Sequence, residues 1–247
     1  MRKAVVAGIV GIALLTGCAG AQVQFTSYID DAGAQLRGHV VSTRTETGSY
    51  WFEWGRTPAL GRQSAVRAVD FVAGERQFVD YNLNSREPDT TYYWRLCAED
   101  QDPQQSAPGC SELDSFTTNP TPPGRALAVG GGWWPFHNAR DGSLNEEGPL
   151  TFEGPAVLTL LDSYCASDRF RVFDNGVKIG RTNRVADPPG CFPYRLYLEE
   201  SLADTEHYSR GSFPLGPGPH SIRVRLVAGE GNRLDNSGYV RVDPLSP

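Results

Sequence analysis

Apolar and polar residues alternate with a period of two along much of this chain. Phe170 and Val172 alternate with Arg169 and Arg171, Ile222, Val224 and Leu226 with Arg223 and Arg225, and Val240 and Val242 flank Arg241. Successive side chains of a strand point to opposite faces, so this rhythm predicts strands buried on one face and solvated on the other. The arginines are expected on the solvent side. Short segments rich in β-branched and aromatic residues, bounded by Gly, Pro, Asp or Asn, recur at 22–29, 35–41, 49–55, 64–71, 75–83, 91–98 and 112–117. No amphipathic helix competes with them. Seven short strands at this spacing predict an immunoglobulin-like sandwich.

Turn and breaker residues set the organisation. Asp174-Asn175-Gly176, between Phe173 and Val177, predicts a hairpin, because Asn-Gly accepts the positive φ angles of a type I′ turn. Residues 168–174 and 177–182 should pair antiparallel, with Phe170, Val172, Val177 and Ile179 facing the core. Asn119-Pro120-Thr121-Pro122-Pro123-Gly124 can continue neither strand nor helix and makes a stiff spacer. The expected fold is all-β: two β-sandwich domains in tandem, 22–118 and 125–247, joined by a Pro-rich linker at 119–124.

The N-terminus departs from this pattern. Arg2 and Lys3 precede an apolar run from Ala4 to Leu15, interrupted only by Gly8 and Gly11. A bilayer span needs about 20 apolar residues, so the run reads as a secretory signal. Leu15-Thr16-Gly17-Cys18 resembles the lipobox of bacterial lipoproteins, in which the cysteine takes a diacylglycerol and cleavage falls just before it. That resemblance implies a signal peptide at 1–17, a lipidated Cys18, a short tether at 18–21, and a place on the outer side of a membrane in the bacterial envelope. No later segment is apolar enough to cross a bilayer, which leaves the acyl chains as the expected anchor.

Export changes the reading of the cysteines. There are five, and with Cys18 acylated Cys97, Cys110, Cys165 and Cys191 remain. An oxidising compartment favours disulfides, and no C-x-x-C or neighbouring His offers zinc spacing. The expected bonds are Cys97–Cys110 and Cys165–Cys191, the second bracketing the Asn-Gly hairpin. Loss of Arg2 and Lys3 would leave 21 basic residues against 29 acidic, a balance that phosphate backbones repel, so nucleic acid is not an expected partner. A mature chain of 230 residues suffices for two cores of about 100 residues each.

Two further resemblances concern the sandwiches. Tyr50-Trp51-Phe52-Glu53-Trp54-Gly55-Arg56-Thr57 and Pro88-Asp89-Thr90-Thr91-Tyr92-Tyr93-Trp94-Arg95 resemble bacterial fibronectin type III-like domains. The resemblance implies that the Tyr92 hydroxyl bonds back to the backbone near 87–89 as a tyrosine corner. Arg86 departs from the Leu usual two residues before the Pro. The stretches 168–180 and 211–222, with Phe-x-Val-x-Asp-Asn-Gly-like and Gly-x-His-x-Ile-like wording, resemble a sandwich domain of exported bacterial proteins, including PEP-CTERM-type proteins. This implies a jelly-roll-like or related sandwich and carries no assigned chemistry.

Motifs of known chemistry are missing from the sequence: there is no G-x-S-x-G, H-E-x-x-H, Walker loop or dinucleotide fingerprint. No catalytic residue, metal site or cofactor is expected. His137, His207 and His220 are scattered, and His220 reads as structural. Asp204, Glu206 and His207 form the densest polar cluster; oxygen ligands there would suit calcium, but a solvated loop explains them more simply. Glu146, Glu147 and Glu153 would have to face each other across a cleft to serve a hydrolase. Trp51, Trp54, Tyr92 and Trp94 are expected in the core and Glu53 in a structural role. The stretch Gly130-Gly131-Gly132-Trp133-Trp134-Pro135-Phe136-His137-Asn138, followed by Arg140 and Asp141, differs in kind. Aromatic faces beside amide and charged groups on a flexible, glycine-rich segment suit a sugar or protein surface. Trp133, Trp134, Phe136 and Asn138 are therefore the candidate ligand-binding residues. The expected function is a lipid-anchored binding or adhesion module for a glycan or envelope protein; a structural spacer without a small ligand and a secreted hydrolase are the alternatives.

Overall fold

The computed structural model describes residues 20–100, 108–139, 142–162, 168–185, 198–227 and 237–245. The signal segment 1–17, Cys18, Arg140, Asp141, Cys165 and Cys191 lie outside the described residues. The described chain is all-β apart from one short helix, and its strands form two separate sheets.

The first sheet contains β1 (Gly20–Asp30), β2 (Gly33–Val41), β3 (Glu46–Gly55), β4 (Arg62–Gln63), β5 (Arg67–Phe71), β6 (Gln77–Leu83), β7 (Thr91–Asp100), β8 (Gly109–Cys110) and β9 (Asp114–Thr117). Their order is β4-β3-β7-β8-β1-β2-β6, with β5 on β3 and β9 on β7. Among the described residues, the strand pairing that joins the groups β1-β2-β6 and β4-β3-β7-β8 is the short parallel one of Gly20 with Gly109. Two strand groups linked this way are the two layers of a sandwich of the immunoglobulin type. Each expected segment contains a strand, but that expected at 64–71 is a strand only over β5, Arg67–Phe71, and the short β4 precedes it at Arg62–Gln63.

Trp51, Trp54, Tyr92 and Trp94 are all buried, as expected of them. Phe52 packs against Trp94 with ring centroids 5.9 Å apart. Glu53, on the other side of β3 from Phe52, accepts from Arg95 at 2.7 Å and from the Trp51 indole at 3.2 Å, so it is a structural carboxylate. Cys97 and Cys110 pair across β7 and β8 and are joined by a disulfide. The backbone N–H of Glu87 donates to the Tyr92 hydroxyl at 3.0 Å, the corner contact implied by the sequence resemblance. At the position of the usual Leu, the Arg86 guanidinium lies 5.9 Å from the Tyr92 ring centroid.

The second sheet contains β10 (Arg125–Ala126), β11 (Trp134–His137), β12 (Leu150–Leu161), β13 (Phe170–Asp174), β14 (Val177–Arg181), β15 (Arg210–Leu226) and β16 (Ser237–Pro244); the helix α1 (Leu198–Ala203) lies between β14 and β15 in the chain. The order is β11-β16-β12-β15-β13-β14, with β10 on β12. β12 pairs with β15 along two stretches, Leu150–Gly154 and Ala156–Leu161, and the register slips between them. β16 pairs only with the second stretch and β13 only with residues 222–226 of β15. A register slip lets paired strands turn a corner between layers. Gly154 stands at that corner, where an added Cβ would come within 2.1 Å of the Gly216 carbonyl oxygen. Both layers face one core, with Phe136, Val240 and Val242 from one side and Phe170, Val172, Ile222 and Val224 from the other. Each such side chain, fully buried, contributes about 1.5–3 kcal/mol relative to exposure.

The Asn-Gly hairpin forms as expected, with φ of 47° at Asn175 and 79° at Gly176 and Asp174 opposite Val177. Phe170 and Val172 are buried and Ile179 packs against the core, but Val177 is 67% exposed. A bulge between Val172 and Phe173 breaks the alternation, and Val177 lies at the tip beside the turn.

Contacts divide the chain into two compact units. The first comprises β1 up to Phe25, residues 37–79 and residues 93–114; the second comprises residues 26–36, 80–92 and the chain from Ser115 onward.

Candidate functional site

The glycine-rich approach to β11 is an ordered turn. The Gly130 N–H donates to Val242 O at 2.7 Å and that of Gly131 to Ala128 O at 2.9 Å. Gly130 and Gly132 have φ of 77° and 88°, a region that L side chains rarely adopt. The turn delivers Trp133 and Trp134 to an edge strand that pairs with β16, Trp134 opposite Val240.

The two tryptophans do not form one platform. Trp134 lies on the same side of the strand as the buried Phe136 and packs against the core, and the Arg125 guanidinium lies 3.6 Å from its ring centroid. Trp133, one residue earlier, associates with the opposite, outer face of β16, which carries Arg241 between the buried Val240 and Val242. The Arg241 guanidinium lies 4.5 Å from the Trp133 ring centroid. The Trp133 indole N–H donates to Glu199 of α1 at 2.8 Å, and Glu199 also accepts from Arg241. Arg241 in turn holds Asp243 at 2.7 Å. Trp133 is partly buried and the Glu199 side chain is 65% exposed. The result is a surface cluster of one indole, one guanidinium and two carboxylates, with the ring held by a hydrogen bond at its edge and a cation at a face.

Phe136 and Asn138 belong elsewhere. Phe136 is fully buried and meets Phe170 edge-on at 4.9 Å. Asn138 is buried, its amide donating to Ser143 O at 3.0 Å and Val224 O at 3.3 Å. Neither presents a face to a ligand: alternation along β11 turns Phe136 inward, and the carbonyls of the neighbouring segments use the Asn138 amide. Arg125, Glu199 and Arg241 were not legible as partners of the tryptophans. The Val-Arg-Val pattern places Arg241 on an outer face, but only the pairing of β11 with β16 brings it to Trp133.

The remaining polar groups are engaged locally. Asp204 accepts from the His207 ring at 2.9 Å and from the backbone N–H groups of Glu206 and His207 at 3.2 Å, closing a turn after α1. Burial raises its pKa, but these hydrogen bonds outweigh burial and hold the carboxyl below its ordinary value. His137 meets Glu147 at 2.8 Å. His220 is nearly enclosed and lies between Asp174 and the Gly216 carbonyl. Among the described residues no group of three or more His, Cys, Asp or Glu side chains is placed to hold a metal ion. In the first unit a shallow cleft of about 440 Å³ opens beside Glu53, Leu60, Arg62 and Arg95.

No protein-family model and no curated protein matches the chain. Among solved structures it is similar to an alpha-L-rhamnosidase from Dictyoglumus thermophilum, at 12% identity and a TM-score of 0.30, over 90% of this chain. The chain spans 27% of the length of that protein.

Proposed function

We propose that this chain is a lipid-anchored protein of the bacterial envelope that binds a glycan or a protein surface through the cluster around Trp133. The observation that carries this reading is the arrangement of Trp133, Arg241 and Glu199. A partly exposed indole, fixed at its edge by a carboxylate and at a face by a guanidinium, can meet a ligand with little loss of side-chain freedom. The flanking carboxylates and guanidinium supply acceptors and donors for hydroxyl or amide groups. The anchor belongs to the same proposal. Cys18 would carry the acyl chains, and the few residues from Cys18 to β1 would keep the first sandwich close to the membrane. The test is a glycan array probed with the soluble 19–247 fragment and with its Trp133→Ala variant. Binding lost in the variant, with a thermal midpoint lowered by no more than about 4 °C, supports the reading. Equal binding by both proteins would move the ligand elsewhere. Absence of palmitate labelling in Cys18→Ser, against labelling of the parent, tests the anchor separately.

A second reading, an envelope spacer without a small ligand, draws on a different observation. Within the second unit, Asp31 in the β1–β2 turn forms a two-point ion pair with Arg223 of β15, and Ser85 accepts from Arg225. Side-chain links over such sequence distances suit a stiff body. Failure of every array ligand, with Trp133→Ala leaving cell-surface assembly of the protein unaltered, would favour the spacer.

A further inference from the structure

His220 lies just beyond the corner at which β12 and β15 turn between layers. Its Nδ1 is 2.8 Å from Asp174 Oδ2, and its Nε2 is 2.9 Å from the Gly216 carbonyl oxygen. Both partners are acceptors. A neutral imidazole carries one N–H and one lone pair, so in either tautomer one of these contacts would set a lone pair against an oxygen. Only the imidazolium donates to both. The side chain is 9% exposed, and the Phe152 ring lies 5.2 Å from it, so water is poorly placed to take over a lost contact.

The same residues tie two segments together. Asp174 Oδ1 accepts from the Ser221 N–H at 3.1 Å, the Asn175 amide donates to Pro219 O at 3.2 Å, and the Asn175 N–H donates to Ser221 O at 3.0 Å. His220 thus completes a patch of hydrogen bonds between the turn 174–176 and residues 216–221 of β15. The charged groups acting on it are Asp174, from the end of β13, and Glu153, from β12, and both are negative.

We propose that His220 is a protonation-dependent clasp, which as imidazolium holds the β13–β14 turn to the bend of β15 and on losing its proton releases one of its two contacts. Burial works against the charged ring, but the Gly216 and Asp174 hydrogen bonds outweigh it, and the pKa lies above the ordinary 6.5. A raised folded-state pKa gives stability that is complete below the unfolded value of 6.5 and is lost as pH rises through the folded value. This end of the sandwich is therefore tight in mildly acidic surroundings and looser in alkaline ones.

Histidine ring resonances of the full chain, followed from pH 5.5 to 9, test the clasp, with His220→Gln assigning the signal among the four histidines. The expected result is a His220 midpoint above 6.5 that falls in Asp174→Asn, together with a thermal midpoint that declines through the titration in the parent but not in His220→Gln. A His220 midpoint at or below 6.5, or one that Asp174→Asn leaves in place, would overturn the proposal. The Asp174→Asn titration decides the matter even if His220→Gln does not fold.

Discussion

Arg223 grips Asp31 at two points, Nη1 to Oδ2 at 2.8 Å and Nη2 to Oδ1 at 3.1 Å, across 192 residues of sequence. The side chains are 14% and 6% exposed, so this pair is largely removed from water. Two parallel charge-assisted bonds fix the geometry as well as the charge. Removing one partner of a buried pair leaves a charge that burial penalises, at a cost of about 3–5 kcal/mol. Arg223 keeps two longer contacts to Asn145, at 3.3 Å each, which should soften the loss. Asp31→Ala is therefore expected near the lower end, about 3 kcal/mol in denaturant unfolding. The double variant Asp31→Leu with Arg223→Met should be more stable than Asp31→Ala, because no unpaired charge remains. A cost below about 0.5 kcal/mol for Asp31→Ala would mean the pair behaves as an exposed surface bridge.

The disulfide Cys97–Cys110 closes a loop of 13 residues in sequence separation. In the chain-entropy model a loop of this size is worth about 3 kcal/mol through restriction of the unfolded chain. Cys97→Ser with Cys110→Ser should lower unfolding stability by about that much. Both cysteines sit opposite each other on β7 and β8, so the folded strand pairing should survive. Non-reducing peptide mapping should recover a Cys97–Cys110 peptide, and a bond from either cysteine to another partner would contradict the strand register.

The features legible in the sequence are those set by neighbours along the chain. Strand positions in the first sandwich follow from alternation and turn residues, and the Asn-Gly turn specifies its own φ angles. The Tyr92 corner came instead from the resemblance to fibronectin type III-like domains, and its partner Glu87 is five residues away. Arg223 shows where this reading ends. Alternation with the buried Ile222 and Val224 turns it away from their core, but the solvent expected on that side is largely excluded, the side chain being 14% exposed. What covers that face is decided by the β1–β2 turn, nearly two hundred residues earlier. The Trp133–Trp134 pair carried the same difficulty. Two adjacent tryptophans resemble a platform in one dimension, but in a strand adjacent residues point to opposite sides. The glycines before them read as freedom, whereas their positive φ angles build a defined turn. Phe136 and Asn138 share the site's sequence neighbourhood but not its surface.

Separating the two tryptophans gives the sharpest test of the second sandwich. Trp134 leans on the core formed by Phe136, Val240 and Val242, with Arg125 over its ring. Truncating a fully buried tryptophan costs about 3–5 kcal/mol, and partial burial should reduce this to about 2 kcal/mol for Trp134→Ala. Trp133 is held instead by Glu199 and Arg241 on the outer face, where one hydrogen bond and one cation–π contact are lost on truncation. Those contacts together should be worth about 1 kcal/mol, because partly exposed cation–π and hydrogen-bond contributions are individually small. Thermal and urea unfolding of the two single variants should therefore rank Trp134→Ala clearly below Trp133→Ala in stability. Ligand capture should rank them the other way, with Trp133→Ala the weaker binder. Glu199→Gln adds a control: it keeps an acceptor for the indole while weakening the pull on Arg241, so binding should fall less than in Trp133→Ala. If both single variants lose the same stability, the tryptophans share one packing role, and the surface cluster around Trp133 has no separate function.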